Sequence, residues 1–124
     1  QAAHRMAFHF QCKLDLWGWE RLGREIVLDD LEENDLECLQ RGYFQILPQL
    51  DHSGRRIFFY YKALSSCYRK RENILRTVWY MANLISQEES VQRLGVVNVV
   101  YNLGGFPKDG MDYEKSRRLS KLFQ

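Results

Sequence analysis

At 124 residues, 45% of them hydrophobic and 14% aromatic, the chain carries enough apolar mass for one domain with a real core, which excludes low-complexity disorder and any need for metal or disulfide staples. Net charge is only +2, divided as 8 basic against 10 acidic residues over 1–62 and 10 against 6 over 63–124, an imbalance too small to imply a nucleic-acid partner. Three scattered cysteines, Cys12, Cys38 and Cys67, with no signal-like apolar run and nothing near the ~18 apolar residues of a membrane span, predict a soluble chain in a reducing, cytoplasmic setting.

From the N-terminus, Ala3, Met6, Ala7, Phe10, Leu14 and Trp17 fall on one helical stripe, and Gly18 and Gly23 are placed to end or break that helix. A second, short helix is expected between about Asp29 and Arg41, because acidic groups crowd its positive end and Gly42 stands at the stop position. Leu31, Leu36 and Leu39 would face inward. The acidic run from Asp29 to Glu37 lacks the central glycine and alternating oxygen ligands of a calcium loop, so it reads as the solvated face of a helix start.

Phe44, Ile46 and Leu47 before Pro48 suit a short edge strand, and the polar turn Asp51-His52-Ser53-Gly54 leads into a longer strand, Ile57-Phe58-Phe59-Tyr60-Tyr61. These two segments are expected to pair antiparallel. A crossover helix should run from about Arg69 to Glu88, with Ile74, Leu75, Val78, Trp79, Ala82 and Ile85 inward, and deliver the chain to a strand over Val96-Val97-Asn98-Val99-Val100-Tyr101. Asn102-Leu103-Gly104-Gly105 and Pro107 then turn the chain, and Asp112 can cap a last helix containing Leu119, Leu122 and Phe123. The fold class is α/β: a mixed sheet with a β-α-β crossover unit, flanked by helices and preceded by a short helical segment.

Both long strands carry large apolar side chains at odd and even positions, so both faces of the sheet want cover. The crossover helix shields one. The other is either sealed by the Met6/Phe10/Leu14/Trp17 helix, or left in part as a pocket floor for an apolar ligand.

Little else in the chain suggests chemistry. His4 and His9 are five apart rather than at the spacing of a helical metal pair, and His52 lies in a turn, so no metal site is expected. Asp51-His52-Ser53 holds triad residue types, but adjacent side chains in a tight turn diverge. Cys67 lies near Arg69, Lys70 and Arg71, which can activate a thiol, yet no histidine base is near it in sequence. The same cations, with Arg76 about one turn on, could meet a lipid head group or membrane, though an exposed helix start is the plainer reading. Gly104, Gly105 and Gly110 match no phosphate-loop pattern. Neither an enzyme nor a cofactor is expected.

Two segments carry a family resemblance. Asp51-His52-Ser53-Gly54-Arg55-Arg56-Ile57-Phe58-Phe59 resembles the D-x-x-G-R-P-V turn and strand of the CRAL-TRIO lipid-binding family, and Gly95 to Gly105 resembles that family's apolar strand and D-L-x-G turn. Arg56 stands in place of the family's proline, and Asn102 in place of its aspartate. The resemblance implies that 1–42 is a helical lead-in segment and 43–124 the first half of a lipid-binding lobe. With Gln1 at the start, it also suggests part of a longer polypeptide.

The function implied is non-enzymatic sequestration or transfer of a hydrophobic lipid, with transient membrane contact. Its expected pocket floor is Phe58, Tyr60, Val97, Val99 and Tyr101, or the opposite set Ile57, Phe59, Tyr61, Val96 and Val100; Arg69, Lys70 and Arg71 are the head-group candidates. The alternative is a small interaction or regulatory domain with a packed core and no ligand.

Overall fold

In the computed structural model, which describes residues 2–101, three strands form one mixed sheet: β1 (Phe44–Leu50), β2 (Arg56–Tyr61) and β3 (Val96–Tyr101), in that spatial order. The turn and final helix expected over 102–124 lie outside the described residues. β1 and β2 run antiparallel, with Phe44 opposite Tyr60 and Ile46 opposite Phe58, as expected. Their pairing becomes irregular between Ile46 and Leu50, where Pro48 has no N–H to contribute.

The hairpin is closed by Asp51. Its Oδ1 accepts the N–H groups of Ser53 at 2.9 Å and Arg55 at 2.8 Å, and its Oδ2 pairs with the Arg55 guanidinium at 2.7 Å. Gly54, at φ 77°, supplies the left-handed residue this turn requires. These bonds hold the Asp51 carboxyl below its ordinary pKa, the Arg55 backbone N–H first among them.

The helices are α1 (Ala2–Trp17), the single turn α2 (Trp19–Leu22), α3 (Glu33–Gln40), α4 (Arg71–Ser86) and α5 (Glu89–Leu94), with short 3-10 helices at Leu28–Asp30 and Lys62–Cys67. Two expectations are corrected. The second helix starts later than Asp29, because Leu31 is extended and drops into the core while Asp35 accepts the Glu32 N–H at 2.9 Å to open α3. The crossover is two helices rather than one, and Gly95, at φ 77°, turns α5 into β3. Arg56 Nε reaches Glu88 Oε2 at 2.8 Å, tying the α4–α5 junction to the start of β2.

α4 is buried on two sides. Ile74 and Val78 join Phe44, Phe58, Tyr43, Tyr68 and Cys38 in the core over the sheet, with Met81 packed at its edge. Trp79 turns the other way, into a second core with Trp17, Ile26 and Leu31. Helix α1 therefore packs on α4: Trp17 and Trp79 meet edge-on at 4.9 Å between centroids, and His9 lies 5.1 Å from Trp79. The sandwich in which this helix seals the sheet is not formed, and Met6 and Phe10 are exposed.

The join between helical segment and sheet segment is polar. Asp35 on α3 is fully buried and accepts from Arg76 Nε at 2.6 Å and Asn73 Nδ2 at 2.6 Å, both on α4. Arg76 also meets the more exposed Glu32 at 2.6 Å. Nearby, Asn34 donates to the Cys67 carbonyl at 2.9 Å and accepts the Arg69 N–H at 2.9 Å. The acidic run thus has a buried side as well as a solvated one, and Arg76 belongs to the interior rather than to a basic surface.

A second carboxylate fixes the loop before α3. Asp30 pairs with Arg24 at 2.6 Å and Arg21 at 2.9 Å, and accepts the Val27 N–H at 2.9 Å. The hydrogen bond from Arg24, with help from Val27 and Arg21, holds the Asp30 carboxyl far below the usual range against the opposing effect of desolvation.

Two outcomes follow from these carboxylates. Asp35→Ala should lower unfolding free energy by about 3–5 kcal/mol in urea denaturation, because Arg76 and Asn73 keep their burial and lose their acceptor. For Asp30, the folded pKa lies below the unfolded one, so its contribution is complete above pH about 5 and is lost progressively as pH falls further. Asp30→Asn should therefore flatten the fall of Tm between neutral and acid pH, and an unchanged acid limb would refute this.

Candidate functional site

The parallel pairing of β2 with β3 decides which apolar side chains share a face. Ile57 lies beside Val97, Phe58 beside Asn98, Phe59 beside Val99, Tyr60 beside Val100 and Tyr61 beside Tyr101. Residues of like parity therefore stand together, and both expected pocket sets are split. Phe58 and Tyr60 share the α4 side with Val96 and Val100, whereas Val97, Val99 and Tyr101 share the far side with Ile57, Phe59 and Tyr61.

Phe58 is a core residue. It is fully buried, with ring contacts to Phe44 at 5.7 Å and Tyr60 at 4.9 Å between centroids. Burial raises the Tyr60 phenol well above its ordinary pKa, and raises Tyr43 to about 12. Tyr60 is half-buried and packs against this core.

The far side is different. Ile57, Phe59, Tyr61 and Val97 are half-buried, Val99 is 37% exposed and Tyr101 47% exposed, and none of the six belongs to either core. Tyr101 has ring centroids 6.1 Å from Phe59 and 5.8 Å from Tyr61, with the rings inclined by 30° and 32°. The result is one apolar, aromatic-rich surface. Val100, on the α4 side of the same strand, is 62% exposed because the core stops short of the end of β3.

Arg69, Lys70 and Arg71 stand together where the Lys62–Cys67 turn meets the start of α4. Ser65 and Ser66 of that turn line the same cavity, of about 380 Å³. The sequence reading missed these hydroxyls; the residues just before a basic helix start were the available signal.

Two other neighbours were not legible from spacing. Cys38 is fully buried and hydrogen-bonded to Cys67, and Asn34 Nδ2 lies 3.7 Å from the Cys38 sulfur. Burial, reinforced by the hydrogen bond that the Cys38 thiol donates to Cys67, pushes the Cys38 thiol up to about 12. The histidines do not converge: His4 and His52 are exposed, and His9 lies on Trp79 with its pKa lowered by burial and by Lys13. Asp51, His52 and Ser53 serve the hairpin turn. Among the described residues, no group of His, Cys, Asp and Glu is placed to hold a metal ion, and no helix is long and apolar enough to cross a membrane.

Compared with protein-family models, curated proteins and solved structures, the chain matches none of them.

Thiol reactivity tests the packing around this region. In native protein at pH 8, iodoacetamide should modify Cys12 and Cys67 while Cys38 stays protected until denaturant is added, because thiolate is the reactive form. Peptide mass spectrometry distinguishes the three. Equal labelling of all of them would contradict the burial of Cys38.

Proposed function

We propose that the chain binds a hydrophobic lipid against the far side of its sheet, and sequesters or transfers that lipid without catalysis. The observation that carries this reading is the register of β2 and β3, which gathers Ile57, Phe59, Tyr61, Val97, Val99 and Tyr101 onto one surface outside both cores. Burying a side chain such as Phe or Val contributes roughly 1.5–3 kcal/mol, so a ligand of matching chemistry gains from covering this surface. Planar phenol rings at Tyr61 and Tyr101 present an apolar body with a polar tip, suited to the boundary between an acyl chain and water.

The resemblance of the hairpin turn and of Gly95 to Gly105 to CRAL-TRIO sequences supports the same reading. The sheet side, however, is the one shared by Phe59 and Val99, not the one containing Phe58. Cysteine usage supports a reducing, cytoplasmic setting for this activity, with the membrane as donor or acceptor.

Native mass spectrometry and organic extraction of protein purified from cells test the proposal. Stoichiometric lipid is expected on the parent chain and several-fold less on Val99→Asp, with circular dichroism unchanged. Repeated recovery of stable, lipid-free monomer would overturn the reading and leave a domain that acts through protein contacts alone.

A further inference from the structure

We infer that the cavity between the Lys62–Cys67 turn and the start of α4 is a binding site for a phosphate monoester, gripped by Arg71. Arg69, Lys70 and Arg71 contribute three cations to its lining, Ser65 and Ser66 contribute hydroxyl groups, and among the described residues no carboxylate lines it. Of the three cations, Arg69 has a long, exposed pairing with Glu37 at 3.8 Å, while Glu37 makes its closer contact with Arg41 at 2.7 Å. Lys70 forms no ion pair among the described residues.

Arg71 is the decisive member. Its Nε and Nη2 are enclosed and have no hydrogen-bond partner among the described residues. These two atoms form one edge of the guanidinium, the fork that grips two oxygens of a single phosphate or carboxylate. A buried donor left without an acceptor is costly, and in native proteins such groups call for an explanation, a bound ion among them. Arg71 is itself a lining residue of this cation-rich cavity.

Phosphate is favoured over carboxylate by the number of donors. A carboxylate has two oxygens, which the Arg71 fork would occupy; a phosphate monoester has three terminal oxygens and up to two charges, enough for Lys70 and a serine hydroxyl as well. The cavity also lies at the positive end of the 16-residue helix α4, which adds to the local potential. None of its lining residues is on the apolar sheet surface, so this inference stands apart from the proposed lipid site.

The test uses the whole chain with ¹⁵N-labelled arginine. Titration with inorganic phosphate at constant ionic strength should shift the Arg71 Nε–Hε signal saturably, and chloride should not. Arg71→Gln should weaken phosphate binding at least tenfold by calorimetry, with Tm little changed; Arg71→Lys, which keeps the charge without the fork, should recover only part of it. Absence of saturation in the parent chain, or equal binding by Arg71→Gln, overturns the site.

Vesicles of phosphatidylcholine with and without phosphatidylinositol 4-phosphate identify the source of the phosphate. Binding that requires the phosphorylated lipid, is competed by inorganic phosphate and is lost in Arg71→Gln assigns the site to a head group. Saturable phosphate binding without vesicle binding assigns it to a free phosphate ester. Vesicle binding that ignores both phosphate and the Arg71 substitution, in a chain whose Arg71 signal does not respond to phosphate, overturns it.

Discussion

The contact between Asp35 and Arg76 joins the two halves of the described chain. A carboxylate on an eight-residue helix and a guanidinium on the crossover helix meet in the interior, with Asn73 giving the carboxylate a further donor. Removing two charges from water is expensive, and the pair is tolerable because almost every polar atom around it is matched. It fixes where α3 sits on α4. From that position Cys38 and Leu39 reach the cluster over the sheet, and Asn34 clamps the backbone around Cys67 and Arg69.

Because α4 is held by α3 through polar groups, its apolar residues can divide between two tasks. Ile74 and Val78 seal the β1–β2 side of the sheet, while Trp79 is spent on α1 and the loop carrying Ile26. Lys13 illustrates how closely this second core is managed: its ammonium bonds the carbonyls of Leu22 and Arg24 and lies 5.9 Å above the Trp79 ring. With α1 committed to that helix, its apolar stripe does not reach the sheet, and the far surface of β2 and β3 keeps its aromatic character.

Much of the architecture was readable from local pattern. Gly18 and Gly42 fall where the chain changes direction, the Asp51 turn predicts the hairpin, and all three strands lie within a few residues of their expected places. What was not readable depends on relations between distant segments. Parity of pairing between β2 and β3 is set by how the crossover seats on the sheet, so the choice of which alternating residues share a surface could not come from either strand alone. Asp35 and Arg76 looked like solvent-facing charges because sequence gives charge but not partner. The two serines beside the basic cluster carry no signature of their own, and become notable only when the short helix places them in the lining of the same cavity as Arg71.

Pro48 gives the sheet a direction of growth. It coincides with the irregular pairing between Ile46 and Leu50, which distorts that strand, so an incoming segment finds a poor template there. β3 pairs with β2 in unbroken register from Val96 to Tyr101, without a proline. Among the described residues no strand covers its opposite margin, which is the better template for another polypeptide, so strand-by-strand association is biased toward that border.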